Sequence, residues 1–175
     1  MSFCPFLCAR SKLRHINDTR KNIFPNSFNA YLYAKKVDKG PSDNTRNRTL
    51  GSAIDAYLYA EKIDKCPRDD TREAACKSSY SAYYYAKHVD KCPRDDTREA
   101  ACKDSQCAYF YARDVDQKPR KDTREAACKD PYCAYEYARD IDQNFHEDTW
   151  EAVKNTDRAE MYKKIFNVFI KDKII

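Results

Sequence analysis

Nine cysteines and three histidines are the side chains of this 175-residue chain that are best suited to bind a metal ion or to act as nucleophiles. Zinc sites normally need two close ligand pairs that converge, but no Cys-x-x-Cys pair occurs and no histidine keeps ligand spacing. The cysteine pairs to watch are Cys102 with Cys107 and Cys128 with Cys133. We therefore expect no metal and no cofactor, and these pairs are where a metal would bind if that expectation were wrong.

The sequence also lacks the patterns of known catalytic sites. His15, His88 and His146 share no repeat position, and neither a GxSxG nor an HExxH motif occurs. With only 2 glycines in the chain, a phosphate-cradling loop is nearly excluded. Helix caps and ion pairs account for the abundant Asp and Glu, so choosing two of them as general acid and base would be arbitrary. We expect that the protein is not an enzyme.

The composition, 42% hydrophobic and 35% charged, is typical of a folded protein. The longest apolar run falls short of the roughly 20 residues that a membrane span needs. The start, MSFCPFLCARSKLR, lacks the basic and apolar regions of a signal peptide, so we expect a cytoplasmic location. Because that compartment is reducing and the cysteine count is odd, buried thiols are favoured over disulfides.

A 26-residue repeat runs through most of the chain. The phrase TREAAC begins at three threonines, and further threonines continue the same spacing in both directions. The full series is Thr19, Thr45, Thr71, Thr97, Thr123 and Thr149. Self-similarity at a period of roughly 20 to 50 residues is typical of solenoids and arrays, so the repeat predicts the fold class.

Two series of N-capping residues divide each repeat into two helices, A and B. The predicted caps of helix A are Asp18, Asn44, Asp70, Asp96, Asp122 and Asp148. The predicted caps of helix B are Asn26, Ser52, Ser78, Asp104, Asp130 and Thr156. Pro131 suits the first position of a helix. Helix B should stop just before the prolines Pro41, Pro67, Pro93 and Pro119.

Helix B carries the apolar stripe that should face the core, with Ala82, Tyr85, Ala86 and Val89 in the third repeat. Helices this short are marginal alone, so the repeats must stack. In the last repeat Trp150 replaces the arginine and Met161 replaces a tyrosine, as expected of a terminal repeat that closes the core.

We predict a single all-α domain, a right-handed α-solenoid of six helix-turn-helix repeats. Residues 1–17 form an N-terminal cap, residues 18–155 the repeats, and residues 156–175 a capping helix and tail.

An arginine and an aspartate recur at helix ends where the local dipole disfavours their charge. They are Arg20, Arg46, Arg72, Arg98 and Arg124, and Asp38, Asp64, Asp90, Asp116 and Asp142. We predict that they pair, each aspartate with the arginine of the next helix A across a short loop. The alternative is a row of arginines aimed at phosphates or at an acidic partner.

Tyrosines form two series on helix B, two residues apart and therefore on different faces. The inner series, which lies on the core stripe, is Tyr33, Tyr59, Tyr85, Tyr111 and Tyr137. The outer series, which is predicted to line a partner-binding surface, is Tyr31, Tyr57, Tyr83, Tyr109 and Tyr135. The alternative is that the outer tyrosines fill the seam between repeats.

The position between the two tyrosines varies most, from Leu32 to Glu136. Its members Leu58, Tyr84 and Phe110 join the predicted partner-binding surface, although drift on an exposed face would produce the same variation.

Charge is uneven, since residues 1–50 hold 10 Lys and Arg against 3 Asp and Glu. A candidate basic patch consists of Arg10, Lys12, Arg14, Arg20, Lys21, Lys35 and Lys36. It would suit nucleic acid or an acidic protein face, and a merely solvated terminus is the alternative.

The phrase KDPYCAYEYARDID and its neighbours resemble a short tandem repeat of bacteriophage and bacterial proteins, of the form D-P-x-x-A-Y-x-Y-A-x-x-V/I. The resemblance covers residues 19–164 and is closest over 71–142, but DDTREAAC stands where many such repeats have Trp-Pro and an acidic segment. It brings no catalytic residues. It implies a helical solenoid from a virus or mobile element, and hence a role in host takeover or in countering host defence.

These observations favour a non-catalytic repeat protein that binds a host protein in order to inhibit or redirect it. A nucleic-acid binder that uses the arginine series and the basic N-terminal third of the chain is one alternative. A structural component that self-assembles through its ends is another.

Overall fold

The computed structural model describes residues 26–167, which form eleven short α-helices with no β-strand among them. The B helices are Ser27–Tyr33, Ala53–Tyr59, Ser79–Tyr85, Ser105–Tyr111, Pro131–Tyr137 and Ala159–Phe166. The A helices are Asp43–Thr49, Asp69–Ala75, Asp95–Ala101, Lys121–Ala127 and Glu147–Val153. This alternation confirms the prediction of an α-solenoid of short repeats. The predicted N-terminal cap, residues 1–17, and the first helix A lie outside the described residues.

The core is shared between neighbouring repeats. Each helix A packs against the helix B before it and the helix B after it, while successive B helices lie side by side. One core cluster joins Tyr57 and Ala60 of the second repeat to Ala75, Tyr85 and Val89 of the third. Among residues 26–167 no repeat buries its apolar stripe alone, as expected for helices of this length.

The predicted core stripe of helix B is confirmed. In the third repeat Ala82, Tyr85 and Ala86 are fully buried and Val89 is nearly so. The small residue Ala75 of helix A is also fully buried against this stripe, which allows the two helices to approach closely.

Side-chain caps begin the B helices where the sequence predicts them. Asn26, Ser52, Ser78, Asp104 and Asp130 each accept the backbone N–H of the residue three positions later. Pro131 occupies the first helical turn as predicted.

The sixth cap prediction for helix B is wrong by two residues, because that helix begins at Ala159 after Arg158. Thr156 accepts the N–H of Arg158 at 3.2 Å, so its hydroxyl still satisfies a backbone donor at this turn.

The caps predicted for helix A are wrong. The residues that precede the A helices are Ser42, Arg68, Arg94, Arg120 and His146, two positions before the predicted Asn44, Asp70, Asp96, Asp122 and Asp148. Asp18 lies outside the described residues. In the third repeat Asp70 is already inside the helix, where it accepts the N–H of Thr71.

A tyrosine hydroxyl from helix B holds the start of helix A instead. The hydroxyl of Tyr85 accepts the N–H of Arg68 at 3.0 Å, contacts the same residue's carbonyl, and lies 2.9 Å from the hydroxyl of Thr71. The same arrangement recurs in the other repeats through Tyr59, Tyr111, Tyr137 and Tyr162. This tertiary contact satisfies the N–H of the residue that precedes helix A, whereas the side chains of Ser42 and His146 also accept backbone N–H groups from the first turns of their helices.

The five regular B helices all end in the same way. A π-helical turn closes each of them, at Ala34–Asp38, Ala60–Asp64, Ala86–Asp90, Ala112–Asp116 and Ala138–Asp142. The next residue is left-handed, with φ between 50° and 56°, and is Lys39, Lys65, Lys91, Gln117 or Gln143. None of these is glycine, although glycine is the residue that most easily adopts this conformation.

The last repeat is shifted by one residue. Tyr162 bonds Thr149 from 13 positions away, whereas the equivalent tyrosines lie 14 positions from their threonines. Met161 is 47% exposed, so the prediction that it replaces a tyrosine is wrong. Trp150 packs at the end of the core with Tyr162 and Phe166, as expected of an atypical final repeat.

Candidate functional site

The recurring arginines and aspartates form a buried ladder. Arg72 donates from Nε and from a terminal nitrogen to Asp90, at 3.1 and 2.9 Å. The equivalent pairs are Arg46 with Asp64, Arg98 with Asp116 and Arg124 with Asp142. The predicted pairing is therefore confirmed for the described residues, but the predicted partner is wrong. The aspartate belongs to the same repeat, because helix B runs back alongside helix A and ends beside its start.

The arginine side chains of this ladder have little solvent-accessible surface. The four arginine side chains are 5–12% exposed, and their guanidinium groups lie 5.6–5.8 Å from the ring centres of the inner tyrosines. Hydrogen bonds to Asp116 and Asp95 raise the pKa of Arg98 above its usual range. Arg20 lies outside the described residues. The alternative of an arginine row aimed at phosphates therefore loses its regular row of free cations.

The outer tyrosines are not on the surface, so the expectation that they are exposed is wrong. Tyr31, Tyr57, Tyr83, Tyr109 and Tyr135 are only 2–8% exposed. They face the neighbouring helix B, and the hydroxyl of Tyr109 donates to Asp140 of the next repeat at 2.6 Å. Burial, with the nearby Asp140 carboxylate, raises the pKa of Tyr109 to about 12. Their position agrees with the alternative prediction, in which the outer tyrosines fill the seam between neighbouring repeats.

The variable position lies on top of this seam. Leu58, Tyr84 and Phe110 are half-buried, and the ring of Tyr84 lies 4.8 Å from Tyr83 and 5.9 Å from Tyr57. Glu136 at the same position is buried and pairs with Arg139. Of the predicted partner-binding residues, those at the variable position are therefore partly accessible, and they pack on the buried outer tyrosines.

An exposed apolar row lies one helical turn before the variable position, and sequence reasoning missed it. Its residues are Phe28, Ile54, Tyr80, Gln106 and Tyr132. Its four apolar members are 49–53% exposed. Tyr80 stacks beside Tyr84, with ring centres 4.4 Å apart. The signal was present, since this position is apolar in four of five regular B helices, two residues after each cap.

We call the resulting surface the B face. It consists of Phe28, Leu32, Lys35 and Lys36 and of the residues that follow them at steps of 26. Because these positions are separated by three or four residues on one helix, they share a side of it. The B face therefore runs across all five regular B helices as rows of equivalent positions.

Cations border the aromatic part of the B face. Lys35, Lys87, Arg113 and Arg139 lie 5.2–5.7 Å from the ring centres of the outer tyrosines one turn earlier. Glu61 takes this place in the second repeat. Such contacts hold both the ring and the cation in position.

The predicted basic patch is represented by two residues. Lys35 and Lys36 are exposed on the first described helix, and the Nζ of Lys35 donates to the hydroxyl of Tyr31 at 3.2 Å. Arg10, Lys12, Arg14, Arg20 and Lys21 lie outside the described residues.

The cysteines between residues 26 and 167 are free thiols. Cys66 and Cys92 are exposed, whereas burial raises the pKa of Cys107 and Cys133 to about 12, with smaller contributions from Asp104 and Asp130. Thiols with such pKa values remain protonated at neutral pH and are poor nucleophiles. In the same part of the chain no cluster of three acidic, histidine or cysteine side chains is placed to hold a metal ion.

Within the described helices, none is both long enough and apolar enough to cross a bilayer. No family model, curated protein or solved structure matches this chain.

Proposed function

We propose that this chain binds a protein through the B face and acts without catalysis. The observation that carries the proposal is the row of Phe28, Ile54, Tyr80 and Tyr132, each about half exposed at one repeat position. Single exposed apolar side chains are ordinary on protein surfaces. An apolar row that is interrupted at one repeat by Gln106 and lies beside half-buried Leu, Tyr and Phe side chains is typical of an interaction surface.

The division between constant and variable residues supports the same function. The Thr–Tyr contacts and the Arg–Asp ladder recur from repeat to repeat and satisfy the buried polar groups. We call these constant residues the frame. The residues of the B face differ between repeats on this constant frame. Repeat proteins use such extended surfaces to bind other proteins.

The nucleic-acid alternative is weaker on the same observations. Its regular arginine row is buried and bound to aspartates, so phosphates would have to be bound by other cations, such as those of the basic N-terminal third of the chain, those of the B face, and Lys77, Lys103 and Lys129. Self-assembly remains an outcome that a measurement of molar mass would reveal.

The resemblance to bacteriophage repeats supports a more specific role. If the chain acts during infection, its partner is a host protein in the cytoplasm, which it inhibits or redirects. This part of the proposal rests on the resemblance alone.

Affinity capture with matched variants tests the proposal. The test variant is Ile54→Ser with Tyr80→Ser and Tyr132→Ser, and the control is Glu73→Ser with Glu99→Ser and Glu125→Ser on the exposed side of the A helices. We expect the tagged wild type and the control to retain the same protein from host cells after nuclease treatment, and the test variant to lose it. Equal capture by both variants, or capture that nuclease abolishes, would contradict the proposal.

A further inference from the structure

Lysines are concentrated at the C-terminal ends of the B helices in the first three described repeats. We call them the lysine rim, which consists of Lys36, Lys39, Lys62, Lys65 and Lys91. All five are exposed. Lys62 pairs with Glu61, whereas the other four form no ion pair with any residue between 26 and 167. The aspartates that end the second and third of these helices, Asp64 and Asp90, are turned into the arginine ladder.

The frame does not require these lysines. At the two positions that carry the rim, the fourth and fifth repeats have Asp114 with Gln117 and Asp140 with Gln143. Gln117 and Gln143 adopt the same left-handed conformation as Lys39, Lys65 and Lys91. A cation near a helix C-terminus is favourable, but the helices that end without one have the same shape. The rim is therefore a feature of the surface of three repeats and not a condition of folding.

The rim also borders a groove. Between the helix B ends of the second and third repeats lies a groove of about 350 Å³, and Glu61, Lys65, His88 and Lys91 contribute to its lining. The equivalent groove between the fourth and fifth repeats has a similar volume, and Arg113, Gln117, Lys118 and Asp140 contribute to its lining. The same shape thus recurs with two cations and one carboxylate in each lining, so the exposed lysines of the rim, and not the groove, distinguish the first three repeats.

We infer that the lysine rim binds an acidic segment of a protein, whose apolar side chains rest on the adjoining part of the B face. Charge complementarity identifies the partner's carboxylates, since four exposed ammonium groups of the rim have no carboxylate partner among the described residues. The inference rests on the proposed function and names the chemistry of its partner.

The side chains beside the rim favour a protein over a nucleic acid. Beside the rim, Leu32, Ile54 and Leu58 are aliphatic, whereas Phe28, Tyr80 and Tyr84 are aromatic. Single-stranded nucleic acids bind by stacking bases on aromatic rings, so a surface that mixes aliphatic with aromatic side chains suits the apolar side chains of a protein better. The fork of arginine is the geometry that best matches phosphate, and the described arginines of the ladder are already bound to aspartates.

Binding of defined polymers to the full chain tests the inference. The probe is a fluorescein-labelled random copolymer of glutamate and tyrosine, compared with polyglutamate, a lysine–tyrosine copolymer and a 20-nucleotide oligothymidine. We expect fluorescence anisotropy to show that the glutamate–tyrosine copolymer binds at least tenfold more tightly than the other three. Salt should weaken its binding, as for any charge-driven contact.

Two sets of charge variants locate the binding site. The rim variant is Lys36→Gln with Lys62→Gln and Lys65→Gln, and the control removes the same charge from the exposed helix A ends with Lys77→Gln, Lys103→Gln and Lys129→Gln. The rim variant should lose at least tenfold in affinity for the copolymer, while the control should stay within twofold of the wild type. Equal losses in both, tighter binding of oligothymidine, or no binding of the copolymer would overturn the inference.

The same variants separate this inference from the proposed function. If the rim variant still captures the cellular partner while Ile54→Ser with Tyr80→Ser and Tyr132→Ser loses it, the B face binds a protein that is not acidic, and the inference fails alone. If neither set of changes affects capture, the proposed function fails as well.

Discussion

The hydroxyl group of the inner tyrosine joins the two helices of each repeat. Tyr85 is fully buried, and its single hydroxyl meets the N–H and carbonyl of Arg68 and the hydroxyl of Thr71. Because Arg68 precedes helix A, this contact also ties the start of that helix to helix B. A phenylalanine would keep the packing of the ring and lose these bonds.

We expect Tyr85→Phe to lower the free energy of unfolding by about 1–3 kcal/mol, the cost of leaving buried polar groups unsatisfied. Urea unfolding followed by circular dichroism measures the change. Tyr132→Phe is the control, since Tyr132 is half exposed and should change stability by no more than about 0.5 kcal/mol. Similar effects of both substitutions would show that the hydroxyl of Tyr85 does not hold the start of helix A.

The arginine ladder makes a different prediction, because it buries charge. In the Arg98–Asp116 pair the side chains are 5% and 0% exposed. Arg98→Ala should therefore cost about 3–5 kcal/mol, because buried Asp116 would keep only the longer contact with Arg120, at 4.0 Å. Arg98→Met combined with Asp116→Leu should recover most of that loss, since replacing a buried pair by apolar residues is often neutral.

The exposed pair of Lys163 with Glu160 provides the comparison for the ladder. Lys163→Ala should change the free energy of unfolding by at most about 1 kcal/mol, as for other surface ion pairs. If the double substitution in the ladder were as damaging as Arg98→Ala alone, the loss would come from packing and not from the unpaired carboxylate.

At the level of the helices, sequence reasoning succeeded where the decisive contact is local. Five of the six helix B caps were predicted because Ser, Asp or Asn bonds a backbone N–H only three residues away. The helix A caps were mispredicted because these helices begin two residues earlier, where a tyrosine 17 residues away in the third repeat bonds the N–H of the preceding Arg68. The ladder partners were mispredicted for the same reason, since the chain reverses direction between helix A and helix B.

The left-handed residue at the end of helix B provides a prediction for that element. Lys91 has φ of 56°, a conformation that costs most residues about 1–2 kcal/mol and glycine almost nothing. Lys91→Gly should raise the free energy of unfolding by up to about 1 kcal/mol, because part of the gain is lost to the freer unfolded chain. Lys91→Val should lower it, since a β-branched side chain fits this conformation poorly. A urea midpoint that falls in both variants would contradict this account of the turn.

At the level of the whole molecule, the repeat period revealed the architecture but not the outward face. A repeat shows which positions are equivalent, and Tyr31, Tyr57 and Tyr83 were correctly grouped in this way. It does not show that these positions face the next helix B, because the angle between neighbouring repeats is set by packing. The exposed row that contains Ile54 and Tyr80 was missed for the same reason.

Contacts between neighbouring repeats predict that one whole repeat can be removed. Tyr83 donates to Asp114 of the next repeat, and Tyr109 donates to Asp140 in the same way. Deleting residues 95–120 would therefore place Asp140 where Tyr83 can donate to it. At the new junction Arg94 would precede Lys121, just as the equivalent Arg120 does in the wild type. We expect this variant to unfold cooperatively, with unchanged helicity per residue and a urea m-value lower by about one seventh, because m scales with the surface exposed. Deleting only residues 95–107 breaks the period, joins a helix cap to the middle of a core stripe, and should abolish cooperative unfolding. If both deletions behaved alike, stability would not depend on contacts that recur once in every repeat.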